Sequence, residues 1–270
     1  MPHSTRPLFC PLFYQKRVFY QNTVLAQLTQ SAQHIQHTMH LPKHLRALFI
    51  CVLSMGAFTM NSQARTIEPV TATYAFLVKD KVSGKGSATR TLSHDGNDWT
   101  YQVTGTAMLG SATAKQTSSF KIIDDKVKPQ SASTAYKILG VGNLHKVSFA
   151  NDKVVSSYKG KSITLNTTQP AFDELSLEVQ IRQELLNGKF TGKYDLVKKD
   201  KIETTQFKQS GRAKITVPAG SYDTVRIDRV HDDKDRQTTF WLAPSLNYLP
   251  VKVIQNNDST QMQMALSAVK

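Results

Sequence analysis

The ten residues 95–104, DGNDWTYQVT, contain the two signals that recur along most of the chain. Asp-Gly-Asn at 95–97 has the composition of a tight hairpin turn. Directly after it, Trp99, Tyr101 and Val103 alternate with polar residues. Because successive side chains of a β-strand point to opposite faces, this stretch predicts a hairpin with one apolar face and one face in water.

The same alternation returns downstream, and turn sequences separate the alternating segments at short intervals. The clearest alternating segments are 120–122, 163–165, 224–228, 249–253 and 261–266, and the turns are 124–126, 151–152, 159–160, 218–220, 231–236 and 256–258. Short strands between close turns are typical of antiparallel sheets. We count roughly a dozen strands. No internal repeat or low-complexity linker interrupts them, so we predict a single β domain over 65–270.

Residues 172–188 depart from this pattern, because apolar residues such as Leu177, Ile181 and Leu185 recur there at helical spacing. The candidate caps are Asp173 or Ser176 at the start and Gly188 at the end. We therefore predict a mainly β fold, a curved antiparallel sheet or half-barrel with one covering helix near 174–187.

Residues 39–64 have the organisation of a signal peptide. Two basic residues precede an uncharged apolar run at 47–60, which is too short to cross a bilayer as a permanent helix. The small residues Ser62 and Ala64 then suit signal peptidase, so we predict cleavage after Ala64 and export to the periplasm. The alternative for the apolar run is a buried core helix.

The sequence upstream of the signal differs from the rest of the chain. Residues 1–38 contain no acidic residue and show no clear period. We predict that they are a non-native extension and that Met39 is the true start. Cys51 lies inside the apolar run without the small neighbours of a lipidation signal, which disfavours a lipoprotein.

The predicted mature chain has a basic charge balance and no cysteine. Five of the 34 Lys and Arg residues and none of the 20 acidic residues precede Arg65, which leaves a net charge of +9. Cys10 and Cys51 also lie upstream, so disulfides, thiol nucleophiles and thiolate metal sites are excluded. A spread positive charge favours anionic surroundings such as lipid head groups. The chain has no nucleic-acid-binding signature, and the mature part has no candidate transmembrane helix.

Motifs for chemistry are missing from the mature sequence. It has no nucleophile elbow, no metal-binding histidine pair and no phosphate-binding glycine loop. The acids Asp173, Glu174, Asp223 and Asp228 are available for paired-carboxylate chemistry, but the sequence does not say which of them converge. We therefore predict no catalytic residue, metal or cofactor, and a chain that is not an enzyme.

Three residues are candidates for lining a ligand site. Trp241 alternates with Phe240 and Leu242, so it faces the opposite side of its strand. It either lines a concave ligand surface together with Leu177 and Ile181 of the helix, or it packs in the core as most large aromatics do.

Several motifs, in this order, resemble the domain of unknown function 3108 family of Gram-negative cell envelopes. They are YAF at 74–76, KPQ at 128–130, DELS at 173–176, IR at 181–182, VPAGSYDTV at 217–225, FWLAP at 240–244 and YLPVKV at 248–253. The resemblance implies an exported β-sheet protein, a curved half-barrel around a helix. It implies no established activity and no catalytic residues.

Three functions follow in order of preference. The first is a non-catalytic binding module for a hydrophobic or anionic, lipid-like envelope component. The second is a structural or assembly factor that contacts another envelope protein. The third is an enzyme that acts on an envelope polymer.

Overall fold

The computed structural model describes residues 65–79, 84–107, 110–257 and 260–270. These residues form fifteen strands, one short 3₁₀ helix (Pro244–Leu246) and one α-helix, α1 (Glu174–Leu186). The strands are β1 (Val70–Lys79), β2 (Gly84–Asp95), β3 (Asp98–Ala107), β4 (Ala112–Ile123), β5 (Lys126–Ile138), β6 (Val141–Phe149), β7 (Lys153–Tyr158), β8 (Lys161–Asn166), β9 (Ala171–Phe172), β10 (Lys193–Val197), β11 (Ile202–Val217), β12 (Gly220–Val230), β13 (Arg236–Ala243), β14 (Leu249–Asn257) and β15 (Thr260–Val269). The predicted extension at 1–38 and signal peptide at 39–64 lie outside the described residues.

All fifteen strands belong to one sheet, which is not closed by a ladder between its two edges. Its order is β8-β7-β6-β5-β4-β3-β2-β1-β15-β14-β13-β12-β11-β10-β9. Every neighbouring pair is antiparallel except β9 and β10, which are parallel. Because β1 pairs with β15, the first and last described strands lie side by side in the middle of the sheet. The predicted mainly β fold is confirmed, with more strands than the dozen counted from sequence.

The predicted turns lie where strands end, and their backbone explains their composition. Asp124 and Asp125, between β4 and β5, have φ of 51° and 61°, and Lys159 and Gly160, between β7 and β8, have φ of 50° and 76°. Two successive residues with positive φ are the mark of a type I′ turn, whose twist matches that of the flanking strands. Consecutive strands are therefore held in register by their turns.

The helix begins and ends at the residues that its sequence indicated. The Asp173 side chain accepts from the backbone N–H groups of Leu175 and Ser176, and the Ser176 hydroxyl accepts from the Asp173 N–H, which is a capping box. At the other end Asn187 is the C-cap, and Gly188 follows with φ of 66°. Local chemistry thus fixes both ends of α1.

The sheet curves around α1, so the helix fills the concave side. One core cluster joins helix residues to side chains from strands that are far apart in the sheet, including Tyr101 of β3, Phe120 of β4, Leu196 of β10 and Ile227 of β12. The helix is buried on almost every side, with only its three glutamates and its C-cap partly or fully exposed. It is the centre of the core as well as the predicted cover of the sheet.

The two edges of the sheet approach each other through side chains. Val147 of β6 and Val154 of β7 share a buried cluster with Ala171 of β9 and Val197 of β10. Beside this cluster the Ser156 hydroxyl of β7 donates to the Lys199 carbonyl oxygen at 2.7 Å. The curved sheet is thereby held in a barrel-like shape. No described helix is long and apolar enough to span a membrane.

Candidate functional site

The concave face of β5, β6 and β7 presents polar aromatic side chains beside the start of α1. Ladder register places Thr134 opposite His145, and His145 opposite Tyr158. Tyr136 lies two residues beyond Thr134 and so projects from the same face. One layer deeper, Ala132 and Val147 form an apolar floor.

These side chains surround a recess between the sheet, the start of α1 and the end of β10. Its volume is about 200 Å³. The residues that line it are Gln116, Thr117, Ala132, Ser133, Thr134, Tyr136, His145, Val147, Tyr158, Asp173, Glu174, Leu175, Val197, Lys198 and Lys199. A single water needs roughly 10–15 Å³, and pockets for drug-sized ligands span roughly 300–1,000 Å³. The recess therefore has room for a small polar group, not for a large ligand.

The recess has one lysine without a carboxylate partner among the described residues. Lys198 Nζ lies 3.6 Å from Glu174 Oε1, so its charge is compensated. Lys199 forms none of the ion pairs of the described residues, and its Nζ lies 4.2 Å from the Tyr158 ring centroid. A cation over an aromatic face is attracted by the ring, which positions Lys199 at the mouth of the recess.

Asp173, the acid nearest the helix start, is buried and accepts several hydrogen bonds. Burial raises the pKa of Asp173, although hydrogen bonds from Ser176, Ser118 and the helix N–H groups oppose the rise. The Asp173 side chain is therefore engaged by the helix start and by Ser118 of β4.

His145 and Ser156 form a hydrogen-bonded pair whose direction is set by a third group. Nε2 of His145 lies 2.9 Å from Ser156 Oγ, and Ser156 already donates its single proton to the Lys199 carbonyl. Ser156 must accept from His145, so neutral His145 carries its proton on Nε2. A general base would have to accept from the serine, so this pair is arranged for structure and not for nucleophilic attack.

The tyrosines at the mouth influence one another. Their hydroxyl oxygens are 3.5 Å apart, and this contact raises the pKa of Tyr136 and, together with Lys199 and Lys159, lowers the pKa of Tyr158. Partial burial and the charge of Lys199 lower the pKa of His145. The charge of Lys199 thus acts to lower the pKa of both Tyr158 and His145.

A second polar cluster lies deeper, between β2, β3 and α1. Arg90 Nη1 donates to Glu178 Oε2 at 2.5 Å, and the Tyr101 hydroxyl donates to Glu178 Oε1 at 2.9 Å. Arg182 Nη1 lies 4.0 Å from the same carboxylate, and its Nε donates to the Asn247 carbonyl. Burial and the Glu178 charge raise the pKa of Tyr101 to about 12. Two arginines thus share one carboxylate inside the core.

The three residues predicted to line a ligand site do not border this recess. Leu177 and Ile181 are buried in the main core cluster around α1. Trp241 is half-buried in a different cluster, with Lys252 Nζ 5.4 Å from its ring centroid. The structure places all three in packed surroundings, and their role in ligand binding stays a prediction.

The four candidate acids are not gathered at one cleft. Asp173 and Glu174 border the recess, but Asp223 is exposed on β12, and Asp228 accepts from Arg226 and Thr239. Although burial opposes ionisation, hydrogen bonds from Ser210, Thr239 and Arg226 lower the pKa of Asp228. Among the described residues, no group of three or more His, Cys, Asp or Glu side chains could hold a metal ion.

Asp173 and Glu174 were candidates in the sequence, but the other recess residues were missed, although a signal for some of them is present. The turn at 151–152 fixes the register of β6 and β7, and that register puts His145 opposite Tyr158. Lys199 carries no such signal, because it reaches the site only when the two edges of the sheet meet.

The comparison with known families identifies the fold family. Residues 70–264 match the family described as proteins of unknown function, DUF3108. The chain belongs to the DUF3108 family. This confirms the resemblance seen in the sequence motifs. A search of curated proteins gave no match to this DUF3108 chain.

This DUF3108 protein is similar to solved structures at low sequence identity. A β-barrel-like protein of the domain of unknown function DUF1849 from Brucella abortus matches with a TM-score of 0.53 and 12% identity, over 76% of this chain and 98% of that chain. A candidate lipoprotein from Parabacteroides distasonis ATCC 8503 matches with a TM-score of 0.29 and 10% identity, over 76% of this chain and 96% of that one. The first likeness shows a common barrel-like fold.

Proposed function

We propose that this DUF3108 protein is a non-catalytic binding module of the cell envelope, and that its recess receives a small anionic group such as a lipid head group. The observation that carries the proposal is the unpaired Lys199 at the mouth of a recess of about 200 Å³. The hydroxyls of Tyr136 and Tyr158 stand beside it as donors. Phosphate and carboxylate groups bind such a combination of an ammonium and several donors.

The packed interior restricts what the ligand is. The helix occupies the concave side and its core contacts leave the recess at one end of α1. Only the charged group of such a ligand therefore enters the recess, and its hydrophobic part stays outside it. This is an anionic ligand with an apolar part, which is one of the classes that the charge balance of the chain favours.

The location of the protein belongs to the same proposal. The signal-like sequence at 39–64 supports export to the periplasm, with a mature chain that begins at Arg65. Mass measurement of the protein from its producing cells tests both predictions. A peptide from residues 1–38 contradicts the non-native extension, and a mature N-terminus other than Arg65 contradicts the cleavage site.

Titration with short-chain lipids tests the binding proposal. We expect soluble short-chain phosphatidylglycerol to shift NMR signals of residues 132–136, 145–147 and 198–199, whereas phosphatidylcholine of the same chain length does not. Lys199→Gln should weaken the binding about tenfold, because it removes the unpaired charge. Lys201→Gln is the matched control, since Lys201 pairs with Glu203 and does not line the recess. Equal shifts with both lipids, or equal affinity of the Lys199→Gln variant, would contradict the proposal.

A further inference from the structure

The turn between β5 and β6 exposes apolar side chains that the fold does not need. We define the hairpin tip as residues 138–141. Ile138 is 52% exposed, and Leu139 and Val141 are each 76% exposed. Adjacent to it, Leu144 is 45% exposed. Single exposed apolar residues are common on protein surfaces, but a contiguous exposed group indicates an interaction site.

The hairpin tip extends beyond the neighbouring strand β7 but not beyond β4. On the β4 side the ladder continues up to Ile138, which pairs with Ala112. On the β7 side the described ladder begins only at His145, so Val141–Leu144 have no neighbour there. The apolar side chains are thus presented at the end of the sheet and not along its packed face.

The backbone of the turn disfavours the residue that occupies it. Leu139 has φ of 50° and Gly140 has φ of 81°, as in a type I′ turn. Asn, Asp or Gly fit the first of these positions better, because a branched apolar side chain is strained at positive φ. Neither packing within the fold nor the geometry of its turn therefore accounts for the side chain of Leu139.

The charge around the tip matches one kind of partner. Between residues 112 and 166, β4 to β8 contain three acids, and all three lie in the turns 124–125 and 151–152 at the opposite end of the strands. In the half of these strands nearer the tip, five lysines are exposed and form none of the ion pairs found in the described residues. They are Lys115, Lys137, Lys146, Lys159 and Lys161.

We propose that the hairpin tip inserts into the surface of an anionic lipid bilayer, with the lysines of β4 to β8 against the head groups. Apolar side chains that enter the interfacial region and lysines that approach anionic lipid stabilise such binding together. A protein partner with an apolar groove would account for the tip but would not require an acid-free surface of this extent. Insertion of the tip into a bilayer does not require a ligand in the recess. This proposal is therefore separate from the proposed ligand binding in the recess.

Vesicle sedimentation tests the proposal on the chain expressed from its complete sequence, with the N-terminus of the purified product established by mass. We expect binding to vesicles that contain phosphatidylglycerol, weaker binding at high salt, and little binding to phosphatidylcholine alone. Leu139→Asn with Val141→Thr should lower the partition coefficient by about tenfold or more, because two exposed apolar side chains lose their contact with lipid. The Asn side chain suits the turn, so the variant is expected to fold.

The matched control is Val155→Thr with Ile163→Thr, which changes two apolar residues of similar chemistry, 40% and 42% exposed on β7 and β8 away from the tip. Its vesicle binding should equal that of the wild type. The proposal is overturned if the wild type does not bind anionic vesicles, or if the tip variant binds them equally well. It is also overturned if the wild type instead forms a complex with an envelope protein that the tip variant does not form.

Discussion

Glu178 is the residue on which the buried charges of the core depend. Its carboxylate faces Arg90 at 2.5 Å and Arg182 at 4.0 Å, and the side chains of Arg90 and Glu178 are only 14% and 17% exposed. Without this carboxylate two guanidinium groups would remain in the core without a counter-charge. Arg90 Nε and Arg182 Nη1 already have no hydrogen-bond acceptor in the described structure.

We therefore expect Glu178→Gln to lower the free energy of unfolding by about 2–4 kcal/mol, because breaking a buried ion pair leaves uncompensated charge. Urea denaturation measures this. Asp98→Asn is the control, since Asp98 pairs with Lys121 at the surface and its loss should cost no more than about 1 kcal/mol. Equal losses of stability in the two variants would show that the buried ion pairs contribute no more to stability than a surface pair does.

His145 of the recess makes the stability of the folded protein depend on pH, and the direction of this dependence follows from its pKa. Partial burial and Lys199 lower the pKa of His145 in the folded chain. The unfolded chain therefore takes up its proton first as pH falls, and this contribution to stability is present above about pH 6.5 and is lost below it. We expect His145→Gln to lose less stability than the wild type between about pH 7.5 and pH 5.5, as measured by urea denaturation. His231, whose pKa is also lowered by burial, remains in both proteins, so an identical pH dependence would contradict the role of His145.

At the scale of elements, the N-cap residue of α1, Asp173, does more than cap the helix. Asp173 accepts from two helix N–H groups and also from the hydroxyls of Ser118 and Ser176. One side chain thus caps the start of the helix and attaches it to the middle of β4.

Replacing that side chain should separate the two roles. Asp173→Ala should cost about 2 kcal/mol or more, because it removes the cap and leaves buried donors without an acceptor. Asp173→Asn should cost less, since its amide oxygen still accepts from the helix N–H groups. Thermal unfolding followed by circular dichroism measures both changes. A larger loss for the Asn variant than for the Ala variant would contradict this account.

At the scale of the whole molecule, the barrel-like shape depends on side chains that join the two edges of the sheet. Val154 is 1% exposed and packs in the cluster with Val197, whereas its neighbour Val155 is 40% exposed on the other face of β7. The contact is small, so single residues within it have large effects.

Val154→Ala should lower stability by about 1–3 kcal/mol and increase hydrogen exchange in β7 and β8. Val155→Ala should change stability by no more than about 0.5 kcal/mol, because its side chain is largely in water. Similar exchange rates in the two variants would mean that the edge cluster does not hold the sheet closed.

The sequence alone determined the elements of this protein. Alternation and turn composition predicted the strands and their antiparallel connections, and the Asp173 and Gly188 signals predicted α1 almost to its ends. These features depend on residues close together in the chain, and the local physics of turns, caps and periodicity suffices for them. The motif series also predicted membership of the DUF3108 family.

Only the tertiary structure decided how these elements meet. Gln180 and Gln183 of α1 are polar but buried, and the Val127 and Ile67 N–H groups, more than 50 residues away in the chain, donate to them. The recess has the same origin, since Lys199 reaches Tyr158 only when the sheet curls. Such contacts join residues that are far apart in the sequence, so no local sequence pattern predicts them.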